Sequence, residues 1–236
     1  FVDCIVPRKE QRRVIAGLAV CSTAGLLLTG CVHTTGGTAV PGARGAEPSG
    51  MPALANFLLD PAEVNLVLGS HDVELVDSAD EMADHSSQFT DSRCLGALYN
   101  AEEDVYRGTG WTAVADQVLT EPQDDSDHWV EQSVVAFESH QHATDFYDKS
   151  VQVWTDCIGR DVTVDNGEIQ FHWRFEGIGI SDNVMSQTVR QEDGDGWACE
   201  HALGVKGSYI VEVSACGNSP DGQAVLLASR IIANVQ

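Results

Sequence analysis

Positive charge is scarce in this chain of 236 residues: 13 lysines and arginines stand against 36 aspartates and glutamates, for a formal net charge of −23. A surface this acidic is repelled by phosphate backbones and anionic lipid headgroups, which excludes nucleic acid as a partner. The excess acid keeps a secreted domain soluble and leaves a cation-seeking face open. No apolar run reaches the roughly 20 residues that a membrane-spanning helix needs. The familiar catalytic and metal signatures are missing too. No Cys-x-x-Cys spacing occurs among the seven cysteines, which argues against zinc. The Gly-x-Ser-x-Gly elbow of serine hydrolases is absent. Gly177-Ile178-Gly179-Ile180 is too short for a dinucleotide fingerprint and leads into a strand, so it is a bulge or an edge bend. Asp193-Gly194-Asp195-Gly196 lacks the bidentate glutamate of a calcium loop and is expected to be a hairpin turn. No cofactor and no metal are expected.

What is present begins with an address. Arg8, Lys9, Arg12 and Arg13 precede an apolar stretch over 14–28, the pattern of a secretory signal. The stretch closes on Leu28-Thr29-Gly30-Cys31, which resembles the lipobox of a bacterial lipoprotein precursor. That resemblance implies cleavage after residue 30 and a diacylglyceryl group on Cys31, whose chains would anchor the protein to the extracytoplasmic face of the cell membrane. Four of the basic residues and two of the acids lie in the signal, so the mature chain carries nine cations against 34 acids, or −25. Residues 31–53 are rich in Gly, Pro, Ala and Thr and poor in large apolar residues, so they form a flexible tether. Residues 54–236 are one domain's worth of chain.

Cys94, Cys157, Cys199 and Cys216 remain in the domain, an even number in an oxidising compartment, which predicts two disulfides. Four cysteines allow three pairings, and sequence alone does not choose among them. Two strands flanking a tight turn at 204–207 favour Cys199 with Cys216, although reflection through that turn falls a few residues short; Cys94 and Cys157 are then left over. Elsewhere, Leu54–Leu59 and a helix opened by Asp60-Pro61 and closed at Gly69 form two short N-terminal helices. The stretch 77–91 is loop or weak helix, with a helical turn near Cys94. Residues 111–119 and 129–137 form a hairpin. A long helix over 141–157, capped by Ser139, recurs in Ala143, Phe146, Tyr147, Val151 and Trp154. Strands follow near 168–175, 184–190, 197–203 and 208–215, and a helix covers 224–235. The expected fold is α+β: an antiparallel sheet of about five to seven strands with helices packed on one face and two disulfides.

Cys94-Leu95-Gly96, Tyr106-Arg107-Gly108-Thr109-Gly110-Trp111, His128-Trp129-Val130, Trp154-Thr155-Asp156-Cys157 and Trp197-Ala198-Cys199, in this order, resemble the PknH-like extracellular domain family. The likeness runs from about Leu54 to Val235. This family forms the external sensor domain of an actinobacterial receptor serine/threonine kinase and of many mycobacterial lipoproteins. The resemblance implies an antiparallel sheet with helices, disulfides Cys94–Cys157 and Cys199–Cys216, and a cleft for an unidentified ligand. These 236 residues contain no Gly-rich loop, catalytic lysine or Asp-Phe-Gly, so the resemblance is to the sensor without the kinase.

Other candidate sites have plainer explanations. His140-Gln141-His142, with Glu138 and Asp145, offers metal-ligand chemistry, but histidines two apart at a helix start diverge and are expected to face solvent. Most of Trp111, Trp129, Trp154, Trp173 and Trp197 fall at core periodicities, with one or two exposed. The reading that results is a non-enzymatic, lipid-anchored envelope domain that binds an unknown small molecule or an envelope protein. An envelope hydrolase with a convergent Ser, His and Asp site, or a purely structural interaction module, remains as an alternative.

Overall fold

A computed structural model describes residues 54–122 and 126–235, so the signal, Cys31, the tether and the tip of the first hairpin lie outside the described residues. Eight strands form one sheet: β1 (Glu74–Ala79), β2 (Trp111–Thr120), β3 (His128–Phe137), β4 (Asp161–Asp165), β5 (Gln170–Ser181), β6 (Val184–Gln191), β7 (Trp197–Lys206) and β8 (Tyr209–Asn218). They lie in the order β1-β2-β3-β8-β7-β6-β5-β4, and every pair is antiparallel. The α+β class and both disulfides match the sequence expectation.

The central strands are buried on both faces, so each face needs a cover. On β8, Ile210 and Cys216 join one core while Val211, Val213 and Ala215 join the other. The first core is roofed by the long helix, which spans His140–Cys157. Ser139 accepts a 3.2 Å hydrogen bond from the His142 amide, and Ala143, Phe146, Tyr147, Trp154 and Cys157 are buried. The second core is covered by the helix Gln223–Asn234, which buries Ala224, Leu227, Ala228 and Ile231 and packs beside Pro61–Leu68. Gly204 permits this approach, because a Cβ there would stand 2.5 Å from Ile232 Cδ1. Pro61–Leu68 begins with a capping box between Asp60 and Glu63 and ends at Gly69 in the left-handed region.

Three features differ from the sequence expectation. The sheet has eight strands rather than five to seven, and its helices divide between both faces. The extra strands are β1, whose residues are almost all exposed, and β4, a five-residue edge that buries only Val162 and Val164; neither carries a strong apolar pattern. The hairpin of β7 and β8 turns at Gly207 and Ser208, later than expected, since Lys206 pairs with Tyr209. The corrected register sets Cys199 directly opposite Cys216, with Cα atoms 4.0 Å apart, so the bridge needs no give at the strand end. The register break between Phe175 and Ile178 is the bulge expected at Gly177.

Candidate functional site

Strand alternation sends residues of equal parity to one face, and on the long-helix side the middle of the sheet is polar rather than apolar. The register joins Asp116 of β2 to Ser133 of β3, and Ser133 to Glu212 of β8. One step along, Glu131 pairs with Ser214, Ser214 with His201 of β7, and His201 with Gln187 of β6. All seven side chains are buried, forming a polar belt across five strands that an apolar face of this size does not require.

The belt is roofed by the segment between the 3₁₀ helix Ser92–Ala97 and the short helix Glu103–Tyr106. Asn100 donates to the Glu131 carbonyl at 3.2 Å and accepts from Ser214 Oγ at 2.8 Å. Glu212 accepts from the Tyr106 hydroxyl and from the Ala101 amide at 3.3 Å. Its second oxygen stands 3.2 Å from His201 Nε2, off the hydrogen-bonding direction. His201 is wholly buried and lies against Trp154, with ring centroids 4.6 Å apart. Ala101 holds φ at +48°, a left-handed backbone uncommon for alanine, because its amide and carbonyl are both committed: the carbonyl accepts from Ala83 at 3.0 Å.

Where the belt ends over β2 and β3 it opens into a cavity of about 280 Å³. Glu81 and Asp84 stand at its walls with Asp116 and Glu131, beside Met82, His85 and Asn100, and no lysine or arginine lines it. Glu102 anchors the outer wall: its carboxylate accepts from the His85 amide at 2.9 Å and contacts the His85 ring, which stacks on Tyr99 at 4.8 Å. Burial pushes the Asp116 carboxyl up to about 7; nearby Glu212 and Asp77 push the same way, against a hydrogen bond donated by Ser133. A buried carboxyl so displaced, facing a cavity, is a mark of a functional site.

The sign of its linkage follows. Asp116 holds its proton more tightly folded than unfolded, so between about pH 4 and pH 7 the native state binds more protons and this group's contribution to stability falls as pH rises. Asp116→Asn, which keeps an acceptor for Ser133, should leave the melting temperature unchanged near pH 4 and raise it near pH 8. Thermal unfolding across that range checks this, and a variant that loses stability equally at both pH values contradicts it.

The belt was not foreseen from sequence, although the signal was present. Glu212 and Ser214 share the parity of Ile210 and Cys216 in β8, where the core calls for apolar residues, and Asp116 does the same between Val114 and Val118. The metal candidates diverge as expected: His140 Nδ1 lies 2.7 Å from the Gly207 carbonyl, Gln141 donates to Asp145 at 2.7 Å, and His142 Nδ1 faces Glu138 at 3.6 Å. Among the described residues no group of three His, Cys, Asp or Glu side chains is arranged to hold a metal ion. Asp193 and Asp195 sit in the turn between β6 and β7, both at positive φ. Trp129, Trp154, Trp173 and Trp197 are core residues, and Trp111 is half-buried. Cys94 bonds to Cys157 and Cys199 to Cys216.

The sequence profile of the PknH-like extracellular domain matches residues 51–234. The serine/threonine-protein kinase PknH of Mycobacterium bovis is 34% identical over 189 residues, which cover 80% of this chain and 32% of that protein. PknH of Mycobacterium tuberculosis is also 34% identical over 189 residues, covering 80% of this chain and 30% of the kinase. The match thus spans less than a third of either kinase. The crystal structure of the extracellular domain of PknH from Mycobacterium tuberculosis superposes with a TM-score of 0.75 at 34% identity, covering 81% of this chain and 98% of that one.

Proposed function

This chain belongs to the PknH-like extracellular domain family, and from that membership we propose that it is a non-enzymatic, extracytoplasmic ligand-binding domain held at the cell membrane by lipid on Cys31. The lipobox-like Leu28-Thr29-Gly30-Cys31, the tether after it and the two disulfides support this location. Sensor-like binding is the reading that best suits the cavity over β2 and β3.

One observation carries the ligand reading. Glu81, Asp84, Asp116 and Glu131 line a cavity without a lysine or arginine, and its inner wall rests on a buried network. The ligand that fits is a small cationic amine. Its ammonium would sit against Asp116 and Glu131, and binding would expel the Asp116 proton.

Calorimetric titration of the chain with 1,4-diaminobutane tests the reading. One saturable site is expected, weakened at least tenfold when Asp116→Asn and Glu131→Gln are combined. A flat titration, or equal binding by the double variant, sinks it.

A further inference from the structure

A groove of about 390 Å³ lies between the long helix His140–Cys157 and the segment 92–107, within the range of about 300–1,000 Å³ typical of small-molecule sites. It does not depend on the cavity over β2 and β3, and its chemistry is the reverse. Arg93, Arg107 and Lys149, three of the nine cations that follow residue 30, line it with a single acid, Asp104. Positive charge gathers here on a chain that is otherwise strongly acidic.

Two of these cations are held in place. Arg93 donates to both oxygens of Asp91, at 2.8 and 2.7 Å, and Arg107 lies 2.6 Å from Asp104. Each guanidinium has five N–H donors, so these contacts leave donors unspent. Lys149 has no ion-pair partner among the described residues and is exposed on the helix. Between the cations run Leu95, Phe146 and Trp154, which are buried, and Val105 and Val153, which are half-buried, with Ser92 and Ser150 beside them.

The walls are fixed relative to each other. Cys94, in the 3₁₀ helix on one side, is bonded to Cys157 at the end of the long helix on the other. Gly96 brings the 3₁₀ helix against the short helix Glu103–Tyr106, since a Cβ there would lie 2.9 Å from Val105 Cγ1. A preformed groove spends little ordering energy on a ligand.

We propose that this groove binds a long-chain carboxylate, with the acyl chain along Leu95, Val105 and Val153 and the carboxylate among Arg93, Arg107 and Lys149. A wholly polar anion would leave the apolar lining unused, and an uncharged chain would leave the cations unused. A free fatty acid uses both.

Calorimetric titration of the full chain with decanoate, compared with decanol, tests this. Saturable one-to-one binding of decanoate is expected, at least tenfold tighter than decanol and at least tenfold weaker in Lys149→Glu with Arg107→Glu. Lys149→Glu alone, on an exposed helical face, should weaken binding severalfold without altering the circular dichroism spectrum. The distant reversal Lys206→Glu should leave binding as it is. Failure to saturate, equal affinity for decanol, or binding insensitive to both groove variants would overturn the proposal.

Discussion

Glu212→Ala is expected to lower unfolding stability by about 3–5 kcal/mol, the range for removing one partner from a buried charged contact. Glu212 is 1% exposed and serves three buried groups: the Tyr106 hydroxyl, the Ala101 amide and the His201 ring. Alanine leaves the Tyr106 hydroxyl and the Ala101 amide without their acceptor in a buried region and removes the carboxylate beside the His201 ring, and the penalty for buried polar groups left unpaired dominates over the small gain in apolar surface. Glu212→Gln, which keeps an oxygen for Tyr106, should lose markedly less. The alanine variant should also ease the Asp116 carboxyl back toward its ordinary range, because the Glu212 charge helps to hold it up. Denaturant unfolding of the three proteins at one pH measures the first effect. Losses below about 1 kcal/mol for alanine, within the range for an ordinary solvent-accessible hydrogen bond, would mean that the belt is not a closed network.

Removing Cys94–Cys157 by paired alanine substitution should cost about 4 kcal/mol, and removing Cys199–Cys216 about 3 kcal/mol, if the bridges act mainly on the unfolded chain. The order comes from the sequence separations of 63 and 17 residues. The two bridges also differ in what they hold. Cys199–Cys216 joins strands already paired along ten positions, beside Trp129. Cys94–Cys157 ties the roof segment to the long helix, so its loss should loosen both cavities as well as the fold. Unfolding curves of the two paired variants separate these effects, and a larger loss from the hairpin bridge would reverse the ranking.

The sequence was most legible where local chemistry and periodicity agreed. Ser139 and the recurrence from Ala143 to Trp154 marked the long helix to within a residue of its start, and Asp60, Pro61 and Gly69 bounded the N-terminal one. Legibility failed where pairing partners decide the outcome. Glu74–Ala79 is a strand because β2 offers it an edge, and its own residues, almost all exposed, give no alternation to read. The hairpin turn was displaced because Gly204 resembled a turn residue; it is a mid-strand glycine that makes room for Ile232. The belt escaped for a related reason. Asp116, Glu131, His201 and Glu212 lie up to 96 residues apart in sequence, and only the register of four strands brings them onto one face. A search for motifs finds neighbours in sequence, and this site has almost none.

Stability and ligand affinity should respond to pH in opposite directions, because both turn on one proton. The folded chain is favoured when Asp116 is protonated, whereas a cation is favoured when it is not. The titration with 1,4-diaminobutane, repeated at pH 5.5 and pH 8.5, therefore bears most directly on the cavity as a binding site. Affinity should rise by roughly tenfold or more at the higher pH, the scale set by about one unit of displaced protonation, and this rise should vanish in Asp116→Asn. Equal affinity at both pH values, or tighter binding at pH 5.5, would contradict the assignment of Asp116 as the group that meets the ligand.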